Sequence, residues 1–467
     1  METDVPFCFT AFGRKTKPPA VRVVVYFPNR RKRALRSHKV QGTCGAFHMQ
    51  FGSVLSFTAI MYARRKAVVS GFALLVCAVW LFRPPISVAR EPSSVLSQIS
   101  LHDALLVAGP GGRIIYSKNE ARKCVPASTL KVLTALAAIH HLGKSYRFQT
   151  EFYQDHGQNL KIKGYGDPLL ITEAWQEIAK TLSSRLQGFK DLVLDSTYFV
   201  DDIRIPGIVP SADSYDAPNG ALCANFNTIF FKRDDTGRIV SAEPYTPMTP
   251  FALGKLRLAG LSSGRYNLCE NAHEAAHYAG ELLMHFLKER GKVCQGKVRR
   301  GVVGSGDRLV YTYRSTFTLE QVVKQMFEFS NNFIANQIML ALGAHVHGPP
   351  GTLAKGVRVL SDYATGVLQL EDIEIAEGSG ISRNNRLSAL DMLTILRRFE
   401  PHRALLVREG EVLYKSGTLE GVKTRAGYIE GRSGNPHYFV IFLNSSHADI
   451  DSILDCVKKS LDNGQDP

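Results

Sequence analysis

Four short stretches hold residues whose types and spacing can do chemistry. In His273-Glu274-Ala275-Ala276-His277 two histidines at i and i+4 share a helix face and can hold one Zn²⁺, with Glu274 as general base. Ser128 and Lys131 lie one helical turn apart, so both side chains project to the same side. A serine hydroxyl is a poor nucleophile until a base takes its proton. A lysine amine takes it only when burial or a neighbouring cation lowers its pKa. A helix start adds unpaired backbone N–H groups that can stabilise a developing oxyanion. Ser330-Asn331-Asn332 is a polar knot in an apolar run of Phe327, Phe329, Phe333 and Ile334. In Lys415-Ser416-Gly417-Thr418, a cation, a hydroxyl and a glycine on one strand can hold a carboxylate and lie along an extended peptide.

Three of the stretches also have a bland reading, and a lone SxxK occurs by chance in many sequences. The histidines can be the wet face of an amphipathic helix, Ser330–Asn332 a helix cap, and Lys415–Thr418 a strand running into a turn. The elements that must position them decide. "VPASTLKVLTALAAIHHLG" predicts a helix opened by Pro126 and closed by Gly143. Before it, "DALLVAGPGGRIIYSKNE" (103–120) predicts two short strands about a Gly-Pro-Gly-Gly turn. From 147 to about 260 the chain is strand- and turn-rich, and "NAHEAAHYAGELLMHFLKERG" is a helix ending at Gly291. "TLEQVVKQMFEFSNNFIANQIMLALG" holds one or two helices. "EVLYKSGT", "VKTRAGYIEG" and "HYFVIFLNSS" read as a strand meander, and "ADIDSILDCVKKSLDN" as a last helix. Helices and strands mix without regular βαβ alternation, so the fold class is α+β.

Bulk composition sets the class. The 467 residues suffice for two domains, and 45% hydrophobic with 21% charged residues is ordinary for a globular protein. The net charge of +15 is concentrated at one end: residues 1–60 hold ten Lys/Arg against Glu2 and Asp4, and Arg64, Arg65 and Lys66 follow. The rest is nearly neutral, which argues against a nucleic-acid-binding body; the run "NRRKRALRSHK" (29–39) alone has that character. Residues 1–60 read as a basic extension, disordered or untranslated, because Met61–Lys66 followed by sixteen uncharged residues (67–82) has the layout of a secretory signal. Ser87-Val88-Ala89 offers a cleavage site. The apolar run is slightly long for a signal and slightly short for a spanning helix, so 61–89 is a signal peptide or membrane anchor, and the body is expected in the periplasm or at the cell exterior. Cys124, Cys223, Cys269, Cys294 and Cys456 of the body show no CxxC spacing, hence neither a zinc ribbon nor a disulfide framework. Cys269 and Cys294 are the nearest pair, and pairing stays open.

SxxK, then SxN, then Lys-Ser/Thr-Gly, in that order, is the three-part signature of penicillin-recognising serine acyl-transferases. "KGYGDPLL" (163–170), "LVLDSTYF" (192–199), "YDAPNGALCANFN" (215–227) and "EGSGISRNNRLS" (377–388) extend the likeness, which runs from about residue 95 to 460. The chain resembles the class C low-molecular-mass penicillin-binding proteins, the D-alanyl-D-alanine carboxypeptidase/endopeptidase family. That resemblance implies a penicillin-binding/β-lactamase-like domain, an antiparallel sheet flanked by helices, formed by 90–149 and 306–467 and split by an inserted strand-rich domain at 150–305. It implies Ser128 as nucleophile, Lys131 as its base, and Ser330 and Asn332 as proton relay and substrate holders. Lys415 would keep the local potential positive, and the Ser128 and Thr418 N–H groups would form the oxyanion hole. Ser416 and Thr418 hydroxyls would meet the substrate carboxylate along the strand that holds Gly417, with Arg383 as a further substrate contact. The implied partners are peptidoglycan stem peptides ending in D-Ala-D-Ala and, as covalent inhibitors, β-lactams. No metal or cofactor is implied, no nucleic acid, and no membrane contact beyond 67–82. Two departures stand out: Lys-Ser-Gly replaces the commoner Lys-Thr-Gly, and Tyr165 precedes Gly166-Asp167-Pro168 where the family has glycine.

Two other readings remain: a non-catalytic wall- or nucleic-acid-binding protein, and a zinc protease. Against the latter, Ala272, Ala275, Ala276, Ala279, Leu282, Leu283, Phe286 and Leu287 define a buried face that leaves His273, His277, Glu281 and Lys288 on the wetter side. A zinc site needs a third protein ligand, and His285 falls two residues beyond where the longer motif would want it.

Overall fold

Long apolar strands with turn residues between them dictate a sheet, and helices with one apolar face must cover it. The computed structural model describes residues 93–431, 434–445 and 448–462. The basic extension, the apolar segment 67–82 and the cleavage site lie outside the described residues. No helix among the described residues is long and apolar enough to cross a membrane.

Strands β1 (Ala104–Ala108) and β2 (Ile114–Lys118) precede a 3₁₀ turn, Ala127–Leu130, that runs directly into helix α1 (Lys131–Leu142). Then come β3 (Gln149–Gln154), β4 (Leu160–Gly164), α2 (Thr172–Arg185) and β5 (Leu192–Asp195). The small strands β6 (Thr228–Arg233) and β7 (Ile239–Ser241) lead to α3 (Pro250–Ala259), β8 (Gly264–Asn267) and α4 (Ala272–Glu289). After β9 (Val298–Arg300) and β10 (Arg308–Arg314) the chain forms α5 (Leu319–Glu328), α6 (Asn332–His347), α7 (Leu353–Asp362) and α8 (Ala389–Phe399). Strands β11 (Val407–Glu409), β12 (Val412–Leu419), β13 (Val422–Glu430) and β14 (Pro436–Leu443) precede α9 (Ile450–Asp462).

The main sheet has the order β11-β12-β13-β14-β1-β2 and is antiparallel throughout. Both faces are covered, and the alternation of β14 states how. Tyr438, Val440 and Phe442 join a core with α1, α5, α6 and α8, while Phe439, Ile441 and Leu443 meet Ile450, Ile453, Leu454 and Val457 of α9. This is the expected α+β arrangement, an antiparallel sheet flanked by helices.

A second sheet, β10-β3-β4-β5-β9, is antiparallel from β10 to β4 and parallel from β4 to β9. Its edge strand β10 falls after residue 305. Helices α2 and α4 supply its core through Trp175, Ile178, Tyr278 and Leu282. A three-stranded sheet, β7-β6-β8, completes this part. Asn219 and Gln337 tie it to α6: Asn219 donates to Gln337 Oε1 at 2.9 Å, and Gln337 donates to the Gly220 carbonyl at 2.6 Å.

Candidate active site

The 3₁₀ turn before α1 is built by its neighbours. Thr424 Oγ1 of β13 and Thr129 Oγ1 both donate to the Pro126 carbonyl, at 2.8 and 2.7 Å, and the Asn444 side chain accepts from Val125 N at 2.8 Å. Held this way, Ala127 adopts φ +47°, a left-handed conformation that costs a residue with a Cβ about 1 kcal/mol. The turn leaves Ser128 half-exposed at the start of a helix whose first residue, Lys131, is fully buried.

Lys131 Nζ is the hub. It lies 2.9 Å from Ser128 Oγ, 2.8 Å from Asn332 Oδ1 and 2.8 Å from the Ser379 carbonyl. Burial holds its pKa well below the usual lysine value; the nearby Lys415 ammonium pushes the same way and the Glu377 carboxylate opposes. The shift favours the neutral amine, the form that carries a lone pair. Lys415 is also buried, and burial pushes its pKa down to about 7; its Nζ donates to the Ser416 carbonyl at 2.6 Å.

The Ser330–Asn332 stretch divides its labour. Ser330 takes φ +49° between α5 and α6, turning the chain. Asn331 caps α6, its Oδ1 accepting from Ile334 N at 3.0 Å, so the bland reading holds for that residue. Asn332, the next residue, faces Lys131. On β12, Lys415 and Gly417 share the side of the sheet that meets the turn, while Ser416 and Thr418 alternate with them and are exposed. Strand β11 pairs only with Val412–Tyr414, which leaves Lys415–Leu419 as an open sheet edge. The structure therefore brings Ser128, Lys131, Asn332, Lys415 and Gly417 together. Arg383 stands at the rim, where its guanidinium donates to the Glu420 carbonyl in the β12–β13 turn.

Sequence reasoning missed the support behind this group. Thr134 Oγ1 donates to the Gly378 carbonyl at 2.6 Å, and Asn336 Oδ1 accepts from Gly378 N at 2.8 Å. Glu377, fully buried, accepts from Ser379 N and Oγ, Gly380 N, Ser382 N and Asn385 Nδ2. The stretch "EGSGISRNNRLS" carried part of the family likeness, but nothing in it assigned a role to Glu377, an acidic residue heading a run of small and polar ones.

Helix α4 buries the face expected of it and turns the HEAAH histidines outward. His273 Nε2 lies 2.8 Å from an Arg300 guanidinium nitrogen, Glu274 pairs with Lys255 at 2.7 Å, and His277 pairs with Glu281 at 3.4 Å. Among the described residues no three His, Cys, Asp or Glu side chains are arranged to hold a metal. The cysteines Cys124, Cys223, Cys269, Cys294 and Cys456 are free thiols, Cys269 and Cys294 included.

Comparison with known proteins agrees with the geometry. The family model described as D-Ala-D-Ala carboxypeptidase 3 (S13) matches residues 109–406. The chain is 23% identical over 418 residues to a D-alanyl-D-alanine carboxypeptidase of Actinomadura sp. (strain R39), covering 72% of this chain and 76% of that one. It is 24% identical over 412 residues to D-alanyl-D-alanine carboxypeptidase DacB of Haemophilus influenzae, covering 73% and 85%. It shares its fold with the crystal structure of penicillin binding protein 4 (dacB) from Haemophilus influenzae, with a TM-score of 0.62, 20% identity and coverage of 79% and 98%. A clustered serine and lysine on a penicillin-binding fold, matched by this family model over most of the chain, place it in the D-Ala-D-Ala carboxypeptidase 3 (S13) family: it is a serine-type carboxypeptidase and a low-molecular-mass class C penicillin-binding protein.

Proposed function

We propose that Ser128 carries the carboxypeptidase reaction on peptidoglycan stem peptides ending in D-Ala-D-Ala, with Lys131 as its base. The observation that carries this reading is the 2.9 Å contact between Ser128 Oγ and a buried lysine amine whose pKa lies well below normal. Ser128 Oγ attacks the carbonyl carbon of the penultimate D-alanine while its proton passes to Lys131 Nζ. The new C–O bond forms, and the negative charge settles on the carbonyl oxygen between the Ser128 and Thr418 N–H groups at the positive end of α1. The C–N bond then breaks, and the proton reaches the departing amine through Ser330, with Asn332 holding the substrate backbone. Water hydrolyses the ester by the same route in reverse.

The open edge of β12 suits an extended peptide laid antiparallel to it, with its terminal carboxylate toward Lys415, Ser416, Thr418 and Arg383. Cleavage of D-alanyl crosslinks is the same chemistry with a larger leaving group, and β-lactams would acylate the same serine. The expected setting is the periplasm or cell exterior, reached through the 61–89 segment, with 150–305 as an insertion in the catalytic domain.

The test is mass spectrometry after exposure to penicillin, with a D-Ala-D-Ala peptide assayed in parallel. An adduct on the peptide containing Ser128, absent in Ser128→Ala together with D-alanine release, is expected. An adduct elsewhere, or equal labelling of Ser128→Ala, would overturn the assignment.

A further inference from the structure

A neutral primary amine has three directions to spend: two N–H bonds and one lone pair. Lys131 Nζ has three neighbours, and two of them, Asn332 Oδ1 and the Ser379 carbonyl, can only accept. They take both N–H bonds. The lone pair is left facing Ser128 Oγ, where a general base needs it. Asn332 is fixed by the start of α6, but the Ser379 carbonyl sits on irregular backbone with no helix or strand to hold it. What holds it is Glu377.

We infer that Glu377 is a positioning residue for acylation: its buried carboxylate anchors the 378–382 loop so that the Ser379 carbonyl aims the Lys131 lone pair at Ser128. This inference rests on the assignment of Ser128 and Lys131 above. One carboxylate oxygen receives Gly380 N at 2.7 Å, Asn385 Nδ2 at 2.7 Å and Ser382 N at 3.3 Å; the other receives Ser379 N and Ser379 Oγ, both at 2.6 Å. Asn385 Oδ1 closes the ring by accepting from Ala376 N at 2.8 Å. Gly380, in the same loop at φ +84°, lies so close to the nucleophile turn that a Cβ there would overlap the Ala127 carbonyl. The loop therefore touches both reacting partners, Lys131 through an oxygen and Ser128 through the preceding peptide.

A buried anion with five donors is poorly replaced by an amide, because glutamine offers one oxygen and turns an N–H₂ toward donors. Glu377 also acts through its charge. The charged groups bearing on Lys131 are Lys415 on β12 and Glu377 on this loop, with opposite signs. Removing the anion leaves Lys415 unopposed and lowers the pH at which Lys131 becomes a base.

Glu377→Gln and Glu377→Asp separate these roles from packing. The measurement is the acylation rate by a fluorescent penicillin across pH, with melting temperature as the folding control. Glu377→Gln is expected to acylate about 10- to 100-fold more slowly, with its acidic limb displaced to lower pH. Glu377→Asp keeps the charge but loses reach, so its rate falls while its limb stays at the wild-type position. A folded Glu377→Gln with wild-type rate and limb overturns the inference, as does a slowed variant whose limb has not moved. Should Glu377→Gln not fold, Glu377→Asp carries the test: a folded protein slowed at least about 5-fold supports it, and an unchanged rate overturns it. Failure of wild-type protein to acylate at Ser128 would instead overturn the function proposed above, so the two failures are distinct.

Discussion

A methyl group at Gly417 would sit 2.7 Å from the Ser128 nitrogen and press on Thr424 Oγ1 and the Ala127 methyl. Gly417 is therefore required for contact between β12 and the nucleophile turn, rather than for backbone freedom. Gly417→Ala should push β12 away from the proposed oxyanion hole and slow acylation about 100-fold, measured with a labelled penicillin on protein whose circular dichroism is unchanged. An unaffected rate would mean that the hole lies elsewhere. Asn331 and Asn332 make a second contrast, because neighbouring residues of one type have different work. Asn331→Ala removes a helix cap and should cost about 1 kcal/mol of stability in denaturant titration while acylation continues. Asn332→Ala removes one of two acceptors that orient Lys131 and should cut acylation at least 10-fold. Equal effects of the two substitutions on acylation would refute that division.

At the scale of elements, the chain declared its helices and strands through period and punctuation. Pro126 and Gly143 bracket the nucleophile helix, yet the first turn is 3₁₀, where Thr424 of β13 and Asn444, just past β14, hold the backbone from far along the chain. Such long-range hydrogen bonds leave no local trace. The i, i+3 spacing of Ser128 and Lys131 made their contact legible, whereas Glu377 was not: it lies 246 residues beyond Lys131 and works through loop backbone, where no periodicity exists to read. Helix α4 gives the opposite lesson. Its apolar spacing told which face is buried, and that sufficed to set the HEAAH match aside as an outward-facing surface. His273→Ala and His277→Ala should leave D-alanine release within about 2-fold of wild type, since surface substitutions shift stability by only about 0.5 kcal/mol. Loss of turnover in either variant would reopen the role of that helix.

For the whole molecule, the catalytic arrangement has a thermodynamic signature because two lysines are buried where α1, α6 and the main sheet meet. An unfolded lysine titrates near about 10.4, whereas burial pushes Lys415 down to about 7 and Lys131 well below its ordinary value. Between those limits the unfolded chain binds protons that the native chain does not, so stability rises with pH. Below about pH 7 both states carry the Lys415 proton, and the cost of a buried cation is fully present. Asp167, buried and raised to about 6, acts in a separate window: its native form binds the extra proton between about 4 and 6, so its effect is constant above pH 7. The melting temperature should therefore climb from pH 7 to 8, on the order of a few kcal/mol in stability. Above about 8.5 the buried Cys124, Cys223 and Cys269 thiols, whose pKa burial raises, oppose the climb, because the unfolded chain loses protons that the native chain keeps. Lys415→Met, which keeps the volume and removes the charge, should raise the melting temperature at pH 7, flatten part of that climb, and abolish acylation. Stability gained at the expense of activity is the pattern of a site held against its folding preference. A climb that is absent, or identical in Lys415→Met, would mean that Lys415 keeps water in the native state and that the cation needed for the substrate carboxylate is not strained by burial.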